Sequence, residues 1–406
     1  MIRDSYILFH KDIPLMIFGF DVSDVIFAYV QESHYEHLPL PLKPLLVLKD
    51  NYGVYISEGV LDLNEEGCGL LEMWLSSREI PTIRNNLNKK LDLTELMFEE
   101  HACSFTDCYW IRKTSDEGLW WNDVKLYASN NVGSYQVATA DKQKFYKGAN
   151  ATLGGQLEKF WYCETKHNTQ AIKLCKRVKK TMGILAAREA WAYHIYKALG
   201  IDAVSYELFF NSQNDVVGCK CDAFTSEKLE LITASDLLEE QHLIASDTDA
   251  YEDITRCAVA YGADEAEVKR FLSAQIMVDY LITNRDRHLG NFGFLRDPDT
   301  LQIIKPAPIF DSGSSEQLEG ELPEGVEMTT VNGCYKTEKE CLDHIPDWGA
   351  VDLSKVPTDL SWLSQLNLEL TDARKERIVD LFHEKLQYLQ KLQKAHLNAV
   401  PSKINI

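Results

Sequence analysis

The sequence predicts an α+β chain in which a small β-rich unit precedes a mainly helical one, behind an N-terminal accessory α+β domain. Three observations predict it. Short β-type runs separated by turns fill residues 131–227 and flank one clear helix at 186–199. Apolar residues at helical spacing dominate residues 228–406. Residues 1–130 mix both periodicities and carry no chemical motif.

In the N-terminal part, residues 5–9 and 47–57 read as strands, the second interrupted by a turn at 49–53, and residues 70–77 read as a short amphipathic helix before the break at Pro81. Trp110, Trp120 and Trp121 read as core or interface anchors more readily than as a stacking surface. The helix at 186–199 ends at Gly200; strand-like 203–210, a turn at 211–215 and strand-like 216–224 follow as a hairpin leading into a connector. Asp264 and Glu267 form a capping-box pattern ahead of a helix bearing Val268, Phe271, Leu272, Ile276 and Tyr280. A last helix starts near Thr371 and carries Ile378, Phe382, Leu386 and Leu389. Residues 316–327, acidic with glycine and proline, read as a loop.

Composition bounds the chemistry. The chain has 62 acidic against 42 basic side chains, a formal charge of -20 that repels a phosphate backbone, so direct nucleic-acid binding is not expected. Apolar stretches such as 13–20 are too short for a bilayer and the N-terminus lacks a secretory pattern, which predicts a cytoplasmic protein without a membrane partner. Ten cysteines without paired short spacing read as free thiols rather than a zinc site.

The chemical signal is strongest where the helix ending near Thr283 gives way to Asn284-Arg285-Asp286-Arg287-His288-Leu289-Gly290-Asn291. A loop aspartate by itself commonly caps backbone amides. Here Asp286 has an amide five residues on, at Asn291, and a second acid at Asp311, inside Ile309-Phe310-Asp311-Ser312-Gly313. Phosphoryl transfer asks a protein for little else: a carboxylate on the attacking hydroxyl and hard oxygen ligands for Mg²⁺. Asp286 is the candidate for the first role, Asn291 and Asp311 for the second. His288 either contacts phosphate or fixes the loop. Upstream, Gly154 and Gly155 allow backbone amides near phosphates, and Lys173 lies between apolar neighbours on a strand, where it can pair the phosphates of ATP and be held by Glu189. Phe224 and Glu227 mark the connector where adenine would meet backbone groups.

In this order the residues resemble the HipA family of kinases, over roughly residues 148–392, most specifically in Asn284-Arg285-Asp286-Arg287-His288 through Asn291-Phe292-Gly293 and in Ile309 through Ser315. The resemblance implies a two-lobed protein-kinase-like fold, ATP and Mg²⁺ as cofactors, phosphorylation of Ser or Thr on a protein substrate, and often an antitoxin partner. By position, it makes Asp286 the base, Asn291 and Asp311 the metal ligands, Lys173 the phosphate lysine, Gly154 and Gly155 the phosphate-covering loop, and Thr152 the counterpart of a self-phosphorylated serine. The Asp-Arg-His-x-x-Asn element is similar to that of phosphoinositide kinases too, so a lipid or small-molecule acceptor stays open, as does a non-catalytic nucleotide-binding module.

Overall fold

A computed structural model describes residues 4–21, 24–78, 98, 101–127, 158–166, 169–240, 249–313 and 334–399. Thr152, Gly154, Gly155 and the acidic segment 316–327 lie outside the described residues.

The fold is α+β, with three antiparallel sheets. The first has strands β1 (Asp4–His10), β2 (Ile13–Asp21), β3 (Asp24–Gln31), β4 (Gly53–Ser57), β5 (Val60–Leu63) and β6 (Tyr109–Lys113) in the order β4-β5-β3-β2-β1-β6. Alternation in β1 and β2 turns Leu8, Met16 and Phe18 onto the face covered by helix α1 (Glu65–Ser77), whose Leu71 and Leu75 are buried against them. Asn64 caps α1 by accepting from the Gly67 N–H at 2.9 Å, so the helix begins at Glu65, five residues ahead of the expected start. Residues expected as a strand and turn between 47 and 52 are instead two short helices, Pro44–Val47 and Lys49–Tyr52, because Pro44 presets a helical φ and Leu45 and Leu46 bury on one side.

Strands β7 (Glu158–Lys166), β8 (Thr169–Arg177), β9 (Glu207–Phe210) and β10 (Val216–Asp222) form the second sheet, ordered β7-β8-β10-β9. Helix α2 (Gly183–Ala198) packs on it, rich in the strong helix former alanine and burying Trp191, Ile195 and Tyr196. The third sheet, β11 (Glu230–Thr233), β12 (Gly293–Arg296) and β13 (Ile303–Pro306), is ordered β11-β12-β13. It is surrounded by α3 (Ala234–Glu240), α4 (Ala250–Ala260), α5 (Glu265–Ile282), α6 (Glu338–Asp343) and α7 (Asp372–Ala399). One continuous core takes in Leu40 and residues from Val178 to Leu389, among them Leu272, Met277, Phe292 and Phe382. Among the aromatic residues flagged in the sequence, Trp110 and Trp121 are buried in a smaller core with Phe9 and Trp161, while Trp120 is exposed. The described cysteines are free thiols. Among the described residues no helix is long and apolar enough to cross a membrane.

A buried polar node joins the first and third sheets. Glu230 of β11 accepts from Arg296 Nε at 2.7 Å and lies 3.3 Å from His10 Nε2, and all three side chains are buried. Burial opposes ionisation of Glu230, yet the charges of Arg296 and His10 hold its carboxyl well below the usual range. A depressed folded pKa gives stability that is complete above the unfolded value, about 4.3, and is lost as pH falls below it. Glu230→Gln is therefore expected to cost about 3 kcal/mol at pH 7, since Arg296 stays buried without its counter-charge. In urea melts repeated at pH 3 to 4 the gap between variant and parent should narrow.

Candidate active site

The hairpin β12–β13 sets the site. The chain leaves α5 through 284–291, runs out along β12, returns along β13, and arrives at Asp311 beside its starting point, with Ala307 N–H bonded to Gly293 O at 2.9 Å. One guanidinium ties the two ends. Arg287 is buried and donates from Nη1 to the carbonyls of Asn291 (2.7 Å) and Phe310 (2.6 Å), and from Nη2 to Ser312 Oγ (3.0 Å). Its charge is met by Asp279, in the last turn of α5, at 2.7 Å from Nε and 2.9 Å from Nη2. Burial alone would lower the pKa of Arg287, but Asp279 raises it further, so the cation is permanent.

Within the loop, Thr283 adopts the left-handed conformation (φ 59°) that ends α5. Asn284 Nδ2 bonds Asp279 Oδ1 at 2.8 Å, and Asn291 Nδ2 bonds the Asp286 carbonyl at 3.1 Å. That second bond fixes the orientation of the Asn291 amide. His288 Nδ1 accepts from the Gly290 N–H at 3.1 Å, which braces the short 3-10 turn Leu289–Asn291 and places the ring proton on Nε2.

Asp311 also has a positive φ, 53°, a geometry that aspartate tolerates better than most residues. Its Oδ1 lies 2.7 Å from Lys176 Nζ and its Oδ2 3.6 Å from Lys159 Nζ. Burial works against the charged form, but Lys159 and Lys176 together hold its carboxyl far below the normal range. Lys176 Nζ also donates to Glu189 Oε1 at 2.6 Å, and Glu189 Oε2 accepts the Ser312 N–H at 2.8 Å. Burial pushes the Glu189 carboxyl upward against the pull of Lys176. Burial disfavours the Lys176 ammonium, and Asp311 and Glu189 outweigh it, raising its pKa. Gly313 completes the arrangement: a Cβ there would fall 2.5 Å from Leu185 O and 2.9 Å from Glu189 Cγ, so the loop can lie against α2 only with glycine at this position.

The lysine that meets Glu189 is thus Lys176, whereas the sequence pointed to Lys173. Parity explains the correction. Residues three apart on β8 face opposite ways, and cross-strand partners face the same way. Lys176 is opposite Lys159 and Cys219 and shares their face beneath α2, while Lys173 is opposite Asp222, whose Oδ1 it meets at 2.8 Å. Lys159 and Arg287 are further residues that the sequence did not single out for the site. In the connector, Phe224 stacks on Phe310 at 5.4 Å, next to Asp311, whereas the Glu227 side chain turns to Lys125 at 2.7 Å.

The donors suit a hard cation. Among the described residues there is no cluster of three or more His, Cys, Asp or Glu side chains placed around a metal, so an ion here would use the Asn291 amide as well as the Asp311 carboxylate, a set that matches Mg²⁺ better than zinc.

The sequence profile of the HipA-like C-terminal domain matches residues 151–385, more than half of the chain. The chain belongs to the HipA-like family. That stretch contains β7 to α6 and every candidate residue from Thr152 to Asp311. One relative, the serine/threonine-protein kinase CtkA of Helicobacter pylori (strain J99 / ATCC 700824), is 32% identical over 129 residues, which are 30% of this chain and 38% of that protein. The match thus spans little more than a third of that relative. Among solved structures, the proinflammatory kinase CtkA of Helicobacter pylori is similar with a TM-score of 0.43 and 20% identity, over 61% of this chain and 94% of that one. HipA of Shewanella oneidensis MR-1, solved with HipB and its operator DNA, is similar with a TM-score of 0.43 and 11% identity, over 95% and 96% of the two chains.

Proposed function

We propose that this HipA-like chain is a two-lobed kinase that transfers the γ-phosphoryl group of ATP to a Ser or Thr hydroxyl of a protein, with lobes at 131–227 and 228–406 behind an accessory domain at 1–130. The observation that carries the reading is Lys176 Nζ, held between Glu189 (2.6 Å) and Asp311 (2.7 Å). A buried ammonium tied to a helix glutamate is preset to meet phosphate oxygens, and fixed charge of this kind is most of what phosphoryl transfer needs from a protein. Asn291 and Asp311 would hold Mg²⁺, which when bound neutralises phosphate charge. Asp286, half-buried on the loop that Arg287 fixes, would orient the acceptor hydroxyl and take its proton. His288 supports that loop through Gly290, and Phe224, stacked on Phe310, would line the approach to Asp311. Gly154 and Gly155 would cover the phosphates and Thr152 would be a site of self-phosphorylation. Family membership extends the proposal to an antitoxin partner.

The test is transfer of label from γ-labelled ATP to protein acceptors, including the chain itself, with phosphoinositides offered in parallel. Asp286→Ala is expected to lower transfer about 100-fold while ATP affinity stays within about twofold. Equal transfer by parent and variant would refute the assignment of Asp286. Label appearing on lipid alone would refute the protein acceptor.

A further inference from the structure

The last long helix, α7, sends one charged side chain to the root of the catalytic loop. Lys385 is fully buried, with 0% exposure. Its Nζ donates to both Glu338 oxygens at 2.8 Å, to the Tyr280 carbonyl at 3.0 Å and to Thr283 Oγ1 at 3.2 Å, and it lies 4.6 Å from the centre of the Tyr280 ring. Two of these acceptors belong to the final turn of α5. That turn also holds Asp279, the partner of Arg287 and Asn284, and three residues beyond Thr283 the chain reaches Asp286.

The terminal carbonyls of a helix have no partner within it, and a β-branched residue in the left-handed region is costly. Thr283 is such a residue, and Lys385 holds both it and the carbonyl three residues before. Core packing needs only apolar contact at this position, which Ile378, Phe382 and Leu389 of the same helix already supply. A buried ammonium is an expensive substitute for a leucine, and well-packed apolar residues commonly replace a buried ion pair at no loss of stability. The bonds of Lys385 to Glu338, Tyr280 and Thr283 therefore do something that packing does not: they fix the direction in which the chain leaves α5.

We infer that Lys385, seated by Glu338, is a positioning residue for Asp286: it sets the exit of the chain from α5 and thereby the place of the Asp286 carboxylate. This rests on the phosphotransferase reading above. The mechanism is geometric, since a reacting group displaced by about 1 Å can lose about two orders of magnitude in rate while ligands that bind elsewhere are unaffected.

The deciding variant is Lys385→Met combined with Glu338→Leu in the full chain, which removes both charges of the pair together. It is expected to melt close to the parent, bind ATP with unchanged affinity and unchanged KM, and show kcat lowered roughly ten- to hundred-fold. Amide hydrogen exchange over 284–291 should become faster. Parent-level kcat with parent-level exchange would overturn the inference, as would a loss confined to ATP affinity. Should the parent itself show no transfer, exchange alone decides: accelerated exchange keeps the role of Lys385 and removes the kinase reading, and unchanged exchange removes the role. Thr283→Val, which deletes one acceptor and keeps the ion pair, covers the case in which the double variant does not fold, and is expected to lower kcat several-fold at constant KM.

Discussion

Lys176→Met is expected to reduce phosphoryl transfer about 1000-fold, and Lys173→Met to leave it within about threefold. Removing one preorganised donor from a charge-stabilising site costs between about 100- and 1000-fold. Lys176 stands at the upper end because its loss also frees two carboxylates that now share it, Glu189 and Asp311. Glu189 would be left buried without its cation, a cost of about 3 kcal/mol, and Asp311 would keep Lys159 at 3.6 Å. Lys173, although buried, faces the other side of β8 and meets Asp222 there, away from Glu189 and Asp311. Both variants should be assayed below the melting temperature of the less stable one, with single-turnover transfer separating chemistry from binding. Equal losses in the two would undo the reading of strand parity on which the assignment of Lys176 stands.

Arg287→Met should be the most damaging single change in the chain for the folded state. It removes five hydrogen bonds at once and leaves Asp279 charged, buried and paired only with Asn284. Breaking a buried pair from one side costs about 3–5 kcal/mol. For a unit of roughly 150–250 residues that is a fall in Tm of about 10 °C or more. Transfer should be lost at every temperature, because Arg287 is the side chain that joins the Asn291 turn to the Phe310 carbonyl. Arg287→Lys is not a rescue: one ammonium cannot span Asp279, Asn291, Phe310 and Ser312 as a planar fork does. Calorimetry and labelled transfer on both variants check this, and a lysine variant with parent stability would show that charge alone is enough.

What could be read from the sequence was local. Residues 284–291 and 309–313 are each contiguous, so their side-chain chemistry is visible as a string, and the hairpin between them is signalled by apolar runs around a turn. The helix ends capped by Asp264 and Asn64 rest on side chains next to the backbone groups they satisfy, although the sequence located only the first. Pairings between distant segments were not visible. Local chemistry favours Lys173, between Ile172 and Leu174, over Lys176, between Cys175 and Arg177, and only the register of β8 between β7 and β10 tells which one faces α2. His10 and Glu230 are 220 residues apart, and no local pattern links them. Asp279 and Lys385 did leave a trace, a charged residue on the apolar face of a helix, which signals a buried partner without naming it.

Gly313 has one more consequence. Lys176 draws α2 and the Asp311 loop together through charge, but how closely they approach is limited there by atoms in contact. Contact has no Debye length. Raising ionic strength weakens the exposed pairs of the surface and screens an incoming polyanion, yet it leaves this spacing as it was. Salt should then act on how readily substrates are captured and hardly at all on the shape of the cleft that receives them.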